Sequence, residues 1–170
     1  LLSGLDKALA EYEKEIEQAG NEGAVKLPEE LRGRVELREQ VRALAGITRI
    51  VIFGCDCACD VQRLRAPDTA TLSMLCIGML PPAFIEYALR QGADGVLIAG
   101  CRDGDCEYRV GGRWLAQRIE GTREPHMRSS VSAQRVRYIA AATFEEDRLR
   151  DELERFKHAL AQLQTEPAHA

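Results

Sequence analysis

The sequence predicts an α/β fold: a small, doubly wound parallel sheet of about four strands, preceded by an N-terminal helical arm. Beyond residue 47, short apolar runs alternate with segments of helical pattern. The runs are apolar at nearly every position, which indicates strands that are covered on both faces. The 170 residues, 45% of them hydrophobic, suit one compact domain with an extra arm.

Residues 1–46 are predicted to form the helical arm or a linker. Within the charged first twenty residues, one apolar stripe recurs at helical spacing: Leu5, Leu9, Tyr12 and Ile16. This stripe predicts an amphipathic helix, which the stretch AGNEGAVKLPEE then interrupts. A second helix is predicted from Val35 to Ala45, ending at Gly46. Because the first residue is leucine rather than methionine, we expect a processed chain or the tail of a longer polypeptide.

Residues 47–170 are predicted to form the α/β domain. Its strands are the runs ITRIVIFG, TATLSMLC, ADGVLIAG and RVRYIAAAT. Between the second and third runs, PPAFIEYALRQGA places prolines where a crossover helix begins and Gly92 where it ends. After the fourth run, Thr143 and Glu146 predict a capping box. The helix that follows has one apolar stripe, made by Leu149, Leu153, Phe156, Leu160 and Leu163.

The charge and hydropathy of the chain restrict the kinds of partner that it can bind. The formal net charge is -4 and the pI is about 5.5, with both signs mixed along the sequence, which argues against a nucleic-acid-binding protein. No run approaches the roughly 18 apolar residues of a membrane span, and no signal-peptide pattern opens the chain. We therefore expect a cytoplasmic protein with no membrane span of its own. Membership of a membrane-associated complex stays open.

Six cysteines are the main functional signal. Disulfides are not expected, because small disulfide scaffolds are loop-rich and secreted, whereas helices and buried strands are predicted here. Cys55 follows the first strand, Cys76 ends the second and Cys101 ends the third, with Cys106 in the loop beyond. Strand ends share one edge of an open parallel sheet, so these thiols can meet. For Cys76, which lies on an apolar strand, the alternative is that it is simply a small apolar side chain buried in the core.

Convergent thiolates suggest a metal. Structural zinc usually uses CxxC pairs, whereas this chain has CxCxC upstream and CxxxxC downstream. The four-residue gap occurs in plant-type 2Fe-2S sites. A thiol relay, supported by the spare thiols of Cys57 and Cys59, is a third interpretation.

Two longer stretches resemble a known family. RIVIFGC and LCIGMLPPAFIEYALRQGADGVLIAGCRDGDCEYRVGGRW are similar to the iron-sulfur delta subunit of methyl-viologen-reducing hydrogenase. The matching positions are Phe53 to Cys55, Cys76 to Gly78, Gly92 to Cys106 and Gly111. The resemblance implies a 2Fe-2S cluster that relays single electrons between a hydrogenase or other dehydrogenase and a heterodisulfide-reductase-like partner with flavin and iron-sulfur centres. Members typically have a second cysteine three residues after the first, where this chain has Ala58.

Each predicted strand end offers one thiolate, so the preferred ligands are Cys55, Cys76, Cys101 and Cys106. Cys59 in place of Cys76 is the next choice. Gly104 would let the CxxxxC loop turn tightly, and backbone N–H groups of that loop could donate to the cluster. No histidine lies near these loops and nothing resembles a nucleophile with its base, so no active site of its own is expected.

Two functions remain open at this point. The first is an electron-transfer subunit with a 2Fe-2S cluster, in a hetero-oligomer with flavin- and iron-sulfur-containing subunits. The second is a structural or adaptor domain in which a zinc site of four cysteines, or no metal, holds the loops. A candidate docking segment, YRVGGRWLAQRIEGTREPHMR, contains the single tryptophan, Trp114. Its arginines are Arg109, Arg113, Arg118, Arg123 and Arg128. A solvated helix with Trp114 packed inward is the alternative for this segment.

Overall fold

The computed structural model describes residues 29–165 and, before them, Lys7, Ala10, Glu11 and Lys14, which are helical. Contacts within the chain divide it into two units, Leu1–Leu37 and Arg38–Ala170. The apolar stripe predicted for the first twenty residues lies outside the described residues. A domain boundary at residue 46 stays a prediction.

The alternation of helices and strands confirms the predicted α/β fold class. The helices are α1 (Glu29–Arg42), α2 (Pro82–Arg90), α3 (Gly111–Ile119) and α4 (Glu146–Thr165). The strands are β1 (Ile50–Cys55), β2 (Thr69–Met74), β3 (Gly95–Gly100) and β4 (Val136–Ala140). In the part of the chain that the structure describes, no helix is both long enough and apolar enough to cross a membrane.

Within the described residues, the strands form one parallel sheet in the order β2-β1-β3-β4. The chain therefore adds β2 on one side of β1, and β3 and β4 on the other. Ile50 and Ile52 belong to a buried cluster with Leu149 of α4. Because side chains alternate along a strand, Phe53 lies on the opposite face. Every residue of β1 and β3 is buried, as expected for central strands of a sheet that is covered on both faces.

Several element boundaries differ from the prediction, and α1 and β1 show it most clearly. α1 begins at Glu29, inside the stretch that was expected to interrupt the helices, and ends at Arg42. An arginine in its last turn, Arg42, suits the helix dipole. β1 begins at Ile50 instead of residue 47, because Arg49 is engaged by Asp94. The Arg49 N–H donates to the Asp94 carboxylate at 2.7 Å, and the two side chains form an ion pair at 3.1 Å.

The start of α4 also differs from the predicted capping box. Helix α4 begins at Glu146, and the side chain that folds back is that of Glu145, whose carboxylate accepts the Ala142 N–H at 2.8 Å. Glu145 also forms an ion pair with Arg102 in the loop after β3. The Ala142 N–H, and then Arg102, lower the pKa of Glu145 to about 2. The predicted apolar stripe of α4 is buried except at Leu163.

Candidate metal centre

The cysteine-bearing loops lie at the carboxyl edge of the sheet, where β1 and β3 are neighbours. The strand order reverses at this pair of strands, and open α/β sheets bind their ligands in the crevice outside such a point. Cys55 is the last residue of β1, and Cys101 directly follows β3. Since Gly54 pairs with Ala99 in the parallel ladder, the two cysteines leave the sheet side by side.

Cys76 does not end β2, contrary to the prediction. The ladder between β1 and β2 runs out at Cys55, after which the chain turns, and Cys76 precedes a 3-10 turn over Ile77–Met79. The Cys76 sulfur accepts the Gly78 N–H at 3.4 Å, and the Ile77 N–H donates to the Cys55 sulfur at 3.1 Å. The turn therefore brings Cys76 to Cys55 and supplies one backbone donor to each sulfur.

Cys106 lies in the loop between β3 and α3. This loop turns at Gly104, whose φ of 94° favours glycine, in agreement with the predicted tight turn. A second turn is closed by the Arg109 N–H, which donates to the Cys106 carbonyl at 2.8 Å. Cys106 is half-exposed, whereas Cys55 and Cys101 are buried. The centre thus has a buried side and, at Cys106, a side that reaches solvent.

The four thiols of the preferred ligand set lie near enough to influence one another. Cys55 and Cys106 both help to raise the pKa of Cys101, and both also help to raise that of Cys76. Among the described residues, no three His, Cys, Asp or Glu side chains are grouped so that they could hold one metal ion. The thiols therefore meet at this edge of the sheet without forming a cage for a single ion.

Two thiols of this centre, those of Cys101 and Cys76, are hard to ionise, mainly because burial raises their pKa. Burial raises the pKa of Cys101 from 9.0 to about 12, with a further contribution from Cys55. Burial also raises the pKa of Cys76, although the Gly78 N–H acts in the opposite direction. In the metal-free chain these two groups are therefore protonated thiols at neutral pH. A metal that binds them as thiolates has to displace their protons.

The two remaining cysteines have other main contacts, although Cys57 is near enough to Cys101 to help raise its pKa. Cys59 belongs to the buried hydrophobic cluster that includes Leu149 of α4. Its pKa is raised first by burial and then by Glu146. Cys57 is half-exposed and donates to the Glu107 carboxylate at 3.5 Å, which is the main cause of its raised pKa. The structure thus brings Cys55, Cys76, Cys101 and Cys106 together, and it places Cys59 in the core under α4.

A close contact between Gly78 and Gly111, which the sequence analysis did not predict, closes the centre. A Cβ on Gly111 would lie 2.3 Å from the Cys76 sulfur, and a Cβ on Gly78 would lie 2.5 Å from the Gly111 Cα. Both distances are far below van der Waals contact. Only glycine therefore lets the start of α3 rest against the Cys76 turn. The double glycine of VGGRW is the sequence signal for such a close backbone approach.

The predicted docking segment contains α3, and one of its arginines has an internal role. Arg118 donates to the Gly78 carbonyl at 2.7 Å, so it braces the turn that carries Cys76. The Arg118 Nε is buried and has no hydrogen-bond partner among the described residues. Trp114 is 38% exposed, and the Arg123 guanidinium lies 4.4 Å from the centroid of its ring. Trp114 is therefore a partly covered surface residue and is not packed inward.

Exposed apolar side chains come from the segments that carry Cys76 and Cys106. Leu75 is 58% exposed, Met79 66% and Tyr108 49%. Together with Trp114 they form what we call the apolar rim. In the described part of the chain, the other large apolar side chains exposed to a similar degree are Ile47, Phe144 and Leu163. Four of these seven side chains therefore lie on the cysteine-bearing segments and on α3.

Comparisons with known proteins point to one family. A model of the family described as methyl-viologen-reducing hydrogenase, delta subunit, matches residues 49–164. The vhc iron-sulfur subunit of the F420-non-reducing hydrogenase of Methanococcus voltae is 39% identical over 66 residues, which are 39% of this chain and 46% of that protein. The iron-sulfur subunit of the F420-non-reducing hydrogenase of Archaeoglobus profundus is 32% identical over 82 residues, 48% of this chain and 60% of that protein.

A relative with a different name matches a longer part of the chain. It is a subunit of the ferredoxin/F(420)H(2)-dependent CoB-CoM heterodisulfide reductase of Methanosarcina acetivorans, and it is 28% identical over 112 residues, which are 65% of this chain and 14% of that protein. The chain therefore spans about half the length of the two hydrogenase subunits and a small part of the heterodisulfide reductase subunit.

Proposed function

The chain belongs to the family of the methyl-viologen-reducing hydrogenase delta subunit, and we propose that it is an electron-transfer subunit of a hydrogenase- or heterodisulfide-reductase-associated complex. The observation that carries the proposal is the meeting of four cysteine thiols, from three chain segments, at the switch point of the sheet. Relatives of the chain are named as iron-sulfur subunits of hydrogenases and as subunits of heterodisulfide reductase. An iron-sulfur centre in this crevice accounts for both observations.

We assign this centre a 2Fe-2S cluster with Cys55, Cys76, Cys101 and Cys106 as its ligands. The CxxxxC spacing of Cys101 and Cys106 occurs in plant-type 2Fe-2S sites, whereas structural zinc usually uses CxxC pairs, so the spacing favours the dinuclear cluster over one zinc ion. The burial of Cys59 under α4 favours Cys76 as the second ligand.

The groups of this chain hold the cluster and adjust its reduction potential. When bound, the cluster supplies the transfer of single electrons. The Ile77 and Gly78 N–H groups, which donate to the sulfurs of Cys55 and Cys76, stabilise added negative charge and so raise the potential. The buried thiols exclude water, while the half-exposed Cys106 keeps one side of the centre within reach of a protein partner.

The proposed partners are a hydrogenase or other dehydrogenase module on one side and a heterodisulfide-reductase-like subunit with flavin and iron-sulfur centres on the other. Two-electron chemistry belongs to these partners, since a single 2Fe-2S cluster stores one electron. The apolar rim beside Cys76 and Cys106 provides surface that such a partner would cover. The relative from Methanosarcina acetivorans includes a segment similar to this chain within a much longer heterodisulfide reductase subunit, which supports association with a protein of that kind.

A cytoplasmic location is also part of the proposal. All six cysteines are free of disulfides. Cysteines persist as thiols in reducing compartments, where iron-sulfur and other thiolate centres form, and are oxidised in most secreted proteins.

The absorption spectrum of the anaerobically prepared full chain tests the function. We expect a red-brown protein that dithionite bleaches, with iron and sulfide in equal amounts. Cys101→Ala and Cys106→Ala should lose most of the iron, because each removes one thiolate. Cys57→Ala, in which the removed thiol instead faces Glu107, is the matched control and should keep the iron. A colourless chain that binds one zinc ion would support the adaptor function instead, and iron at the wild-type level in both ligand variants would contradict the assignment.

A further inference from the structure

A cavity lies at the amino edge of the sheet, on the opposite side from the candidate metal centre. It is bordered by the end of α2, by the loop that precedes β4 and by Arg135, which comes directly before that strand. Strand β3 has six residues and separates the two edges by about 17 Å, since a strand rises about 3.3 Å per residue. The cavity is therefore distinct from the cysteine-bearing loops, and the proposed electron transfer does not use it.

The cavity is small and positively charged. Its volume is about 260 Å³, slightly below the range of about 300–1,000 Å³ that is found for drug-sized ligands. Three arginines line it together with one carboxylate, so that three positive charges and one negative charge give a formal charge of +2. The whole chain, in contrast, carries a formal charge of -4. A ligand that suits this cavity is therefore small and anionic. The charged residues are Arg90, Arg128, Arg135 and Glu86.

Arg128 is held in place by the buried carboxylate of Glu86. This carboxylate accepts the Arg128 backbone N–H at 2.9 Å, and it forms an ion pair with the Arg128 Nε at 3.3 Å. The Glu86 side chain is only 9% exposed, whereas that of Arg128 is 69% exposed. The ion pair compensates the charge of Glu86 without using the two Nη groups of Arg128. Glu86 thus orients a guanidinium whose remaining donors are available to a ligand in the cavity.

Arg135 is fixed in a similar way by two backbone carbonyls. Its Nε donates to the Asp94 carbonyl at 2.9 Å, and its Nη2 donates to the Ala93 carbonyl at 2.7 Å. A guanidinium has five N–H donors, so these two bonds fix its plane and leave donors for a ligand. The third arginine, Arg90, lies over the Tyr87 ring, 5.8 Å from its centroid. All three guanidinium groups are thus positioned before a ligand binds, which lowers the entropic cost of binding.

The loop between two of these arginines adds hydroxyl groups. Its sequence is RSSVSAQR, and Ser130 and Ser132 line the cavity. The Val131 N–H donates to the Arg128 carbonyl at 3.1 Å, so the loop is folded into a turn. Met127, directly before the turn, is buried and anchors it. Guanidinium and hydroxyl groups are donors that proteins use to bind phosphate oxygens.

We propose that this cavity binds a dianionic phosphate group, either as free phosphate or as the monoester of a small molecule. A phosphate monoester carries a charge of about -1.5 to -2 at pH 7, which balances the +2 of the lining. A monocarboxylate would leave one of these positive charges uncompensated. The phosphate oxygens also point in several directions, so they can meet donors from α2 and from the loop before β4. Binding here does not depend on the metal centre, so the proposed electron-transfer function is tested separately.

An NMR titration of the isotope-labelled full chain, in a phosphate-free buffer near pH 7, tests this site. Inorganic phosphate, AMP and acetate are added in separate experiments. We expect saturable shifts of the Arg90, Ser130 and Ser132 amide signals with phosphate and with AMP, and weaker binding of acetate. Tighter binding of AMP would identify a phosphorylated small molecule as the ligand, whereas equal affinities would show that the phosphate group alone is recognised. The absence of saturable shifts at these residues, or acetate binding as tight as that of phosphate, would overturn the proposal.

Substitutions test whether the arginines of the cavity form the site. Arg90→Gln should weaken phosphate binding by about tenfold or more, because a hydrogen bond to a charged group contributes at least that factor. Arg128→Lys keeps a positive charge beside Glu86 but removes the planar guanidinium, so it should also weaken binding. Arg155→Gln is the matched control, because Arg155 is exposed on α4, where it pairs with Glu152. Equal weakening in Arg90→Gln and Arg155→Gln would mean that phosphate responds only to the net charge, and it would overturn the site.

Discussion

Replacing Gly111 with alanine tests whether the start of α3 sets the position of the Cys76 sulfur. The added Cβ would lie 2.3 Å from that sulfur, with the Gly78 nitrogen at 3.4 Å behind it. The Cys76 turn must then retreat by about 1 Å to restore ordinary contact. Overpacking of this kind costs about 1–3 kcal/mol. Alanine at a helical position with free space would instead stabilise the protein by up to about 1 kcal/mol. We therefore expect the free energy of unfolding to fall by about 1–3 kcal/mol.

Urea denaturation of the cluster-free chain under reducing conditions measures this free energy, and the alkylation rate of Cys76, followed by mass spectrometry, reports the position of its sulfur. Gly121→Ala is the matched control, because Gly121 has a φ of 80° and an added Cβ there meets nothing within 4 Å. Its backbone strain should lower the stability without any effect on Cys76. Only Gly111→Ala should speed the alkylation and alter the EPR spectrum of the loaded chain. Unchanged stability in Gly111→Ala, with Cys76 alkylated at the wild-type rate, would refute the reasoning.

Three further substitutions test other contacts. Arg118→Leu removes the bond to the Gly78 carbonyl, so the free energy of unfolding in urea should fall by about 1–2 kcal/mol; an unchanged value would mean that the bond does not brace the turn. Glu145→Gln should lower the Tm at pH 7. The pKa of Glu145 is held at about 2, below its usual 4.5. The higher Tm of the wild type should therefore be present above about pH 4.5 and vanish as the pH falls toward 2. An equal Tm difference at pH 7 and near pH 2 would contradict this. Cys59→Ala should lower the free energy of unfolding in urea by about 1 kcal/mol and keep the iron. Cys76→Ala should lose the iron. Loss of iron in Cys59→Ala and its retention in Cys76→Ala would make Cys59 the ligand.

The fold class could be predicted from the sequence because its signals are local. The nearly continuous apolar runs indicate buried strands, and the proline at the start of α2 and the stripe of α4 indicate helices. The predicted ends of the helices and strands were less accurate, because contacts with residues distant in sequence decide where an element begins. β1 starts after Arg49 because Asp94 engages Arg49, and α4 is capped by Glu145 because its carboxylate also meets Arg102.

The sequence also determined that thiols meet at one edge of a sheet. Parallel strands share their carboxyl edge whatever their order, so the predicted strand ends placed Cys55 and Cys101 there, whereas Cys76 reaches this edge through the turn after β2. The sequence could not separate Cys59 from Cys76 by spacing alone. That distinction depends on the end of β2, after which the Cys76 turn folds toward Cys55 while Cys59 packs under α4.

Which cysteine-bearing segments become neighbours was decided by the tertiary structure alone. The strand order makes β1 and β3 neighbours and so joins Cys55 to Cys101, and no local pattern encodes that order. The contact of Gly78 with Gly111 joins Cys76 to the Cys106 loop across a long stretch of chain. A sequence pattern records the preference of each segment for helix or strand. It does not record which strands become neighbours or which glycines let two backbone segments touch, because these contacts exist only once the sheet and its helices have packed together.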